Sequence, residues 1–348
     1  IPVIQVVAKE YGDLRYAQGG IVAVGLIYVI LSFVIKKIGV DKIRKVLPAQ
    51  VVGPMIMVIG LNLIPDALKN AGVNGLLGGE SGAIRNVLIA AVTLGLALII
   101  KHYGKGMLKQ VAILIAVVVG YGISYAMGIV ETGAISEAAL LAVPNFTLPK
   151  FDLSAILIIV PVVLAVFMEH VGDITTNGQV VGKNFIEDPG LNRTMLGDGL
   201  ATFAAGLIGG PANTTYGENT GVLAITKNYD PSILRITAVF AMLLSFIGKF
   251  RAVIVTMPSP VMGGISLMLF SMIAIVGVQT IKREKVEMNI QNIIIIIAIL
   301  FIGLSGNILS TPIGIRVTSS VSISGLSLAG IVGVILNQVM NLTYRKNK

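Results

Sequence analysis

Long apolar segments alternate with short polar loops along almost the whole chain. Segments 84–100 and 290–304 consist mostly of Leu, Ile, Val and Ala, and they approach the ~20 residues that a helix needs to cross a bilayer. The predicted spans are 18–35, 46–65, 84–101, 107–129, 154–172, 194–210, 213–226, 232–250, 258–281, 289–305 and 321–341. The pattern predicts an all-α polytopic membrane protein, although 194–210 and 213–226 are short, Gly-rich and interrupted.

Composition agrees with lipid as the main solvent. The chain is 55% hydrophobic and 12% charged, with a mean hydropathy of +0.90, whereas a soluble domain is about 25% charged. The absence of cysteine excludes disulfides and thiolate metal sites, and two histidines are too few for a His-rich metal site. The net charge of +9 indicates basic loops beside a membrane rather than a nucleic-acid partner.

The basic residues favour one set of loops. When the spans are counted in alternation, 18 of the 26 lysines and arginines lie on one side, which includes the tail "YRKNK". The positive-inside rule makes this side cytoplasmic, so the C-terminus is predicted to be cytoplasmic. The bias would largely vanish if 213–226 did not cross, so this odd segment is predicted to carry the chain across the membrane.

Two stretches 210 residues apart resemble each other. "LPAQVVGPM" (47–55) and "MPSPVMGGI" (257–265) share Pro, Val and Gly at equal positions, and "RN" of the next span recurs as "QN". An odd number of predicted crossings separates them, so a true repeat would be inverted, as in many secondary transporters. The alternative is a common way of starting a helix with proline. Since the chain opens inside an apolar segment, we expect a truncated N-terminus, with the broken partner of 213–226 at or before Ile1.

Four carboxylates fall at predicted membrane depth: Glu169, Asp173, Asp198 and Glu218. Intramembrane acids are costly and usually face a cavity where they function. Glu169 and Asp173 are spaced i, i+4 and therefore share a helix face. Their repulsion and burial would raise their affinity for a proton, which suits a proton-coupled carrier. The alternative for Asp173 is that it marks the cytoplasmic end of the helix.

The two remaining polar residues at this depth receive structural interpretations. His170 points about 100° away from Glu169 on a helix, which favours a hydrogen-bonding role over a role in coupling. Asp198 lies between Gly197 and Gly199 near the start of its span. It is interpreted first as an interfacial or helix-packing residue and second as a site residue.

The stretch "PANTTYGENTGV" (211–222) concentrates helix breakers and polar residues. Its first part is predicted to form a short strand, and "GENTGVLAIT" is predicted to begin a half-helix. Non-helical backbone at membrane depth is tolerated where it is buried in protein or lines a wet cavity, and its N–H and C=O groups then become ligands. The alternative is an extracellular loop, which the charge asymmetry disfavours.

Two carboxylates combined with free backbone donors and acceptors suit a small, flat, neutral molecule that has its own N–H and C=O groups. A nucleobase fits this description. A metal cation is the competing ligand, but hard cations generally take more oxygen ligands than two carboxylates supply.

Residues 168–226, with "EHVG" and "NTTYGEN", closely resemble the nucleobase–ascorbate transporter family and, within it, the bacterial uracil permeases. "PSPVMGGISLMLF" (258–270) resembles the same family. The resemblance implies an inverted seven-plus-seven transmembrane repeat with short strands in the broken spans three and ten. Spans one, two and part of three, with the first strand, would then precede this chain, and 211–216 would be the second strand.

The same resemblance implies a division into two domains. The core domain would comprise 1–35 and 154–253, and the gate domain would comprise 46–130 and 258–342. It also implies a multi-pass protein of a bacterial cytoplasmic membrane that is surrounded by lipid, binds uracil or a related nucleobase, and has neither a cofactor nor a metal. A homodimer is consistent with the family, whereas a nucleic-acid partner is not expected.

For the site, the resemblance implies that Glu169 and Glu218 hydrogen-bond the base and that Gly217 offers a backbone N–H to a base carbonyl. Tyr216 and Asn219 match positions that line or brace the site.

The resemblance implies that the co-transported species is a proton, carried by Glu169, Glu218 or Asp173, and the residues themselves leave sodium open as the alternative. Asp173 stands where some members have a histidine implicated in coupling. This departure leaves the proton path open.

Other functions remain as alternatives. A purine or xanthine permease of the same family would share the architecture. An anion transporter of the same fold would have an electropositive site, which the acid pair disfavours, and an ion channel would conduct without saturable nucleobase binding. An enzyme is not expected, since no nucleophile–base set or cofactor motif is present.

Overall fold

The computed structural model describes residues 2–39, 42, 45, 47–160, 162–215, 217–309, 312–316 and 322–346, and helices dominate this part of the chain. The elements of the first half are α1 (Pro2–Tyr11), α2 (Leu14–Ile38), α3 (Ala49–Asn70), α4 (Val73–Leu77), α5 (Ala83–Tyr103), α6 (Met107–Gln110), α7 (Ala112–Ala126), α8 (Gly133–Glu137) and α9 (Leu153–Ile159). Helices α2, α3 and α5 agree with the predicted spans 18–35, 46–65 and 84–101 to within a few residues, whereas the predicted span 107–129 is divided between α6 and α7.

The second half continues with longer helices and one small sheet. Its elements are α10 (Val162–Val181), a π-helical turn (Ile186–Gly190), α11 (Leu191–Ile208), α12 (Gly217–Thr226), α13 (Pro231–Ser245), α14 (Gly248–Val255), α15 (Ser259–Arg283), α16 (Ile290–Ile308), β1 (Gly314–Arg316), β2 (Ser322–Ser324) and α17 (Gly325–Lys346). Strands β1 and β2 pair antiparallel, with Ile315 opposite Ile323. The hydrophobic pattern did not predict this hairpin.

Within the described residues, five helices are long and apolar enough to cross a membrane: α2, α3, α5, α15 and α16. Large apolar side chains of α5 such as Ile84, Leu88 and Ile99 are exposed, as expected for helices whose outer face meets lipid rather than water. These helices confirm an all-α, multi-pass membrane protein.

Aspartates define where several helices begin. The Asp13 carboxylate caps α2 by accepting the Arg15 N–H, and the neighbouring Arg15 side chain lowers the pKa of Asp13. Asp152 caps α9 by accepting the Ala155 N–H, and it also accepts a 2.6 Å hydrogen bond from the Tyr11 hydroxyl. This bond lowers the pKa of Asp152 and ties α1 to the start of α9.

The chain divides into two compact units. The first comprises Ile1–Asn62, Phe146–Gly217 and Met272–Lys348, and the second comprises Leu63–Asn145 and Glu218–Ser271. The division into core and gate domains stays a prediction.

In the first unit, α2 packs along α11 through glycines. A Cβ added to Gly199 would lie 2.9 Å from Tyr28 Cβ, and one added to Gly206 would lie 2.9 Å from the backbone nitrogen of Val22. A second cluster of the same unit joins α3, α16 and α17 through Val58, Ile299 and their neighbours. Small residues let the helix backbones approach, which is how helices associate in lipid.

In the second unit, glycines again set the spacing of the helices. A Cβ added to Gly264 of α15 would lie 2.5 Å from the carbonyl oxygen of Ala90 in α5, and Gly120 of α7 faces Thr93 of α5. In the segment before α9, Leu141 forms an isolated antiparallel β-bridge with Ile247.

The two similar stretches have similar local structures. Helices α3 and α15 each begin one residue after the recurring proline. Val51 and Val261 are both fully buried, and each donates its N–H to that proline's carbonyl, at 2.9 and 3.0 Å. The inverted orientation of the two stretches stays a prediction.

Helix α11 ends where the sequence predicted a break. Gly209 has a φ of +95°, and residues 210–215 form no regular secondary structure before α12 begins at Gly217. The predicted half-helix is confirmed. The predicted strand at 211–216 is not found at residues 211–215, and its last residue, Tyr216, lies outside the described residues.

The packing of α2 on α11 generates a stability prediction. Gly206→Ala places a methyl group against Val22 and should lower the free energy of unfolding by about 1–3 kcal/mol, because overpacking forces the two helices apart. Thermal unfolding of the detergent-solubilised protein, followed by circular dichroism, measures the change.

The matched control is Gly197→Ala in the same helix, where an added Cβ meets nothing within 4 Å. It should raise the free energy of unfolding by no more than about 1 kcal/mol, because alanine is more stable than glycine inside a helix. Equal effects of the two substitutions would contradict the packing interpretation.

Candidate functional site

Helix α10 carries the first two predicted site acids. Glu169 and Asp173 lie one turn apart on this helix, and both are partly buried. The helix continues past Asp173 to Val181, so the interpretation of Asp173 as the end of the helix is wrong. One face of α10 therefore presents both carboxyl groups, as the i, i+4 spacing predicted.

His170, between them, is 2% exposed and pairs with α11. Its Nδ1 lies 2.8 Å from Asp198 Oδ2, and its Nε2 lies 3.0 Å from Thr194 Oγ1. Since a carboxylate can only accept, the Nδ1–H donates to Asp198. The predicted hydrogen-bonding role of His170 is confirmed.

The first interpretation of Asp198 was an interfacial or helix-packing residue, and its contact with His170 of a neighbouring helix fits the helix-packing alternative. Asp198 is partly buried and accepts from a buried histidine on another helix. The sequence pattern did not reveal this partnership because the two residues lie on different helices, joined by the segment around the π-helical turn. The available signal was an aspartate inside an apolar span and a histidine in the neighbouring span, since such polar groups require partners.

The same pair holds the broken segment. Thr215 Oγ1 lies 3.3 Å from His170 Nδ1 and 3.4 Å from Asp198 Oδ2. Further along α11, the hydroxyl of fully buried Thr202 accepts from the Asn213 N–H at 3.1 Å and donates to the Asn213 carbonyl at 3.2 Å. Side chains thus replace the backbone partners that a continuous helix would supply.

This anchoring places the start of α12. Gly217 is its first residue, Glu218 its second, and Asn219 is exposed in the first turn. The first N–H groups of a helix have no acceptor within the helix, and the helix dipole favours acceptors there. Glu218 falls in the second unit and Glu169 in the first, so their joint site stays a prediction.

A cavity of about 340 Å³ in the first unit adjoins α10. It is lined by Gly172 and Thr175 on α10, by Gln50 at the start of α3, and by Arg283 and Glu287, among others. Gly172 follows Glu169 by three residues, so the cavity begins on the face that carries Glu169. The cavity is lined by both polar and apolar residues of the first unit.

Arg283 was predicted only to be a basic loop residue. It lies at the end of α15, where its Nη1 is 3.5 Å from Thr176 Oγ1 of α10. A Cβ added to Gly172 would lie 3.4 Å from its Nη2. No sequence pattern linked α15 to α10, so this lining residue was missed.

No group of three or more His, Cys, Asp or Glu residues that could hold a metal ion is found among the residues the structure describes.

The His170–Asp198 pair predicts non-additive effects on stability. His170→Ala and Asp198→Ala each leave the other residue without this hydrogen bond, so the double variant should lose less free energy of unfolding than the sum of the two single variants, by about 0.5–3 kcal/mol. Thermal unfolding of the four proteins measures this coupling.

His102 and Asp230 provide the control pair. They lie on different elements and contact Tyr103 and Ser232 instead. Their alanine substitutions should add to within about 0.5 kcal/mol. Additivity at His170 and Asp198 as well would argue against a shared network.

Comparison with known proteins agrees with this architecture. The profile of a family described as "Permease family" matches residues 2–312. The chain is 39% identical over 337 residues to the "Probable uracil permease" of Pasteurella multocida, covering 95% of this chain and 78% of that protein. It is 39% identical over 329 residues to the "Uracil permease" of Escherichia coli K12, covering 94% and 74% of the two chains.

A third relative is the "Uracil permease" of Bacillus subtilis, 37% identical over 343 residues, covering 96% of this chain and 78% of that protein. The profile match covers most of the chain, and the similar relatives are covered over most of their length. Both findings indicate the same family. The chain belongs to the permease family.

Proposed function

We propose that the protein imports uracil across a bacterial cytoplasmic membrane by proton symport. The family and the multi-pass helices make it a membrane transport protein rather than an enzyme. The names of its relatives support uracil as the substrate. The observation that carries the proposal is the broken segment before α12, which is anchored on the residue next to Glu169.

The chemistry of uracil matches the groups of the predicted site. Its ring N–H groups are donors and suit the carboxylates of Glu169 and Glu218, which accept when ionised. Its carbonyl oxygens are acceptors and suit the Gly217 N–H at the start of α12. Tyr216 and Asn219 flank these groups in sequence and line or brace the bound base.

Proton coupling follows from carboxylates at membrane depth. A carboxyl group in apolar surroundings favours its neutral form, and a neighbouring carboxylate strengthens this preference. Glu169, Glu218 or Asp173 carries the co-transported proton. Binding of neutral uracil together with one proton then lowers the negative charge of the site by one before the loaded carrier rearranges.

Transport proceeds by alternating access between the core and gate domains of an inverted repeat. The similar local structures at the starts of α3 and α15 support the repeat. The cavity beside Gly172 and Arg283 provides the path on the side that the basic loops make cytoplasmic. The C-terminus lies on that side. Lipid surrounds the protein, and a homodimer is the assembly that we propose.

A purine or xanthine permease is the second candidate, because such a carrier would use the same architecture. Measuring how strongly purines and pyrimidines inhibit uracil uptake distinguishes a uracil permease from a purine or xanthine permease. The acids on α10 disfavour an anion transporter, since an anion site is electropositive. Saturable uptake of uracil would separate a carrier from an ion channel.

Substitution of the two glutamates tests the proposed site. In proteoliposomes containing the full-length protein, Glu169→Gln and Glu218→Gln should each lower uracil uptake by about tenfold or more. Each replaces a charged acceptor by an amide, and hydrogen bonds to charged groups are the strong ones. The initial rate of radiolabelled uracil uptake is the measurement.

Glu131→Gln is the control, because Glu131 is exposed in the loop after α7. It should retain wild-type uptake. Wild-type uptake by either of the two site variants would refute the assignment of that glutamate.

A further inference from the structure

The cavity of about 340 Å³ in the first unit carries binding groups that the proposed mechanism does not use, since it treats the cavity only as a path. Pockets that hold small molecules begin at about this size. Part of the lining is apolar and includes Leu47 and Val171, and polar side chains of three other segments complete it. A few convergent polar groups on a partly apolar surface are the usual composition of a small-molecule site.

Gln50 brings an oriented amide to the cavity. It lies in the first turn of α3, and its Nε2 donates to Asn337 Oδ1 of α17 at 3.0 Å. Asn337 is 1% exposed, so a buried partner fixes the amide. A glutamine amide has two N–H donors and a carbonyl acceptor, and this bond uses one of the donors. The remaining groups of Gln50 are suited to pair with a ligand in the cavity.

Three charged side chains border the same cavity: Arg283, Glu284 and Glu287. Arg283 Nη1 lies 3.5 Å from Thr176 Oγ1 of α10, and within the described part of the chain Arg283 forms no ion pair with either glutamate. The carbonyl oxygen of Glu287 accepts from Asn292 Nδ2 at 2.8 Å, which fixes the backbone beneath its carboxylate. The cavity therefore offers guanidinium donors and carboxylate acceptors that do not neutralise each other by direct contact.

This combination of groups selects the charge of the ligand. An anion would lie against the two carboxylates and a cation against the guanidinium, each at an electrostatic cost. A neutral molecule that has both N–H and C=O groups can donate to a carboxylate and accept from a guanidinium or an amide. Uracil is such a molecule, and its single ring is small enough for a cavity of this volume.

We propose that this cavity is a second uracil site, which the base occupies on its way from Glu169 to the cytoplasm. Arg283 donates to a carbonyl oxygen of the base, Glu287 accepts from a ring N–H, and Gln50 pairs with the remaining polar edge. Gly172 lines the cavity and follows Glu169 by three residues, so the cavity begins about one helical turn beyond Glu169 on α10. This inference rests on the proposed uptake of uracil.

Equilibrium dialysis of the purified full-length protein with radiolabelled uracil tests the second site. The wild type should bind a second uracil molecule per chain, more weakly than the first. Glu169→Gln should keep this weaker binding, because Glu169 does not line the cavity. Addition of Arg283→Ala to Glu169→Gln should then lower the remaining affinity by about tenfold or more, because hydrogen bonds to charged groups are the strong ones.

Arg235→Ala is the matched control in the same Glu169→Gln background. Arg235 is also an exposed arginine that contacts a hydroxyl, with its Nη2 3.1 Å from Ser232 Oγ, but it lies in the second unit. Its substitution should leave the weaker affinity unchanged. If Arg283→Ala does not fold, Glu287→Gln is the second variant, because this exposed side chain keeps its size and loses only its charge. It should weaken the same binding.

The outcomes separate the second site from the proposed function. A single uracil molecule per wild-type chain, together with saturable uracil uptake, overturns the second site alone. Equal losses of affinity in Arg283→Ala and Arg235→Ala also overturn it, as does displacement of the weaker uracil by inorganic phosphate, which would indicate an anion site. Absence of both uracil binding and uracil uptake in the wild type overturns the proposed function and this inference together.

Discussion

A helix that is interrupted away from water must find new partners for the backbone groups it releases, and this constraint organises the first unit of the molecule. The interruption lies between α11 and α12, at residues 210–215. Thr202 satisfies the backbone of Asn213 with one hydroxyl. Thr215 joins the His170–Asp198 pair. The backbone groups released by the break thus have side-chain partners within the first unit.

Close packing of helices is a second feature that organises the first unit. Glycines at 199 and 206 let α2 approach α11, and this approach places the Cβ of Tyr28 against Gly199. Lipid offers no hydrophobic driving force between helices, so contact at this distance depends on small residues and on hydrogen bonds across the interface. Helix α11 therefore takes part in both the polar network with α10 and the glycine packing with α2.

Local features of the chain were predictable because they depend on neighbouring residues. Apolar runs located the spans, and the breakers of "PANTTYGENTGV" located the interruption and the half-helix that begins at Gly217. The spacing of Glu169 and Asp173 placed both on one helix. The pairing of His170 with Asp198, the approach of Arg283 to α10 and the β1–β2 hairpin were not predictable, because each depends on how separate elements pack.

The central claim is that uracil binds at the start of α12, where Gly217 donates its N–H and Glu218 accepts. Hydrogen–deuterium exchange of the purified protein with and without uracil tests it most directly, since exchange reports the protection of individual backbone amides. Uracil should slow exchange in the peptide that spans residues 213–222, and it should also slow exchange in the peptide around Glu169. Slowed exchange confined to other helices, or no change under conditions where uracil is bound, would contradict the claim.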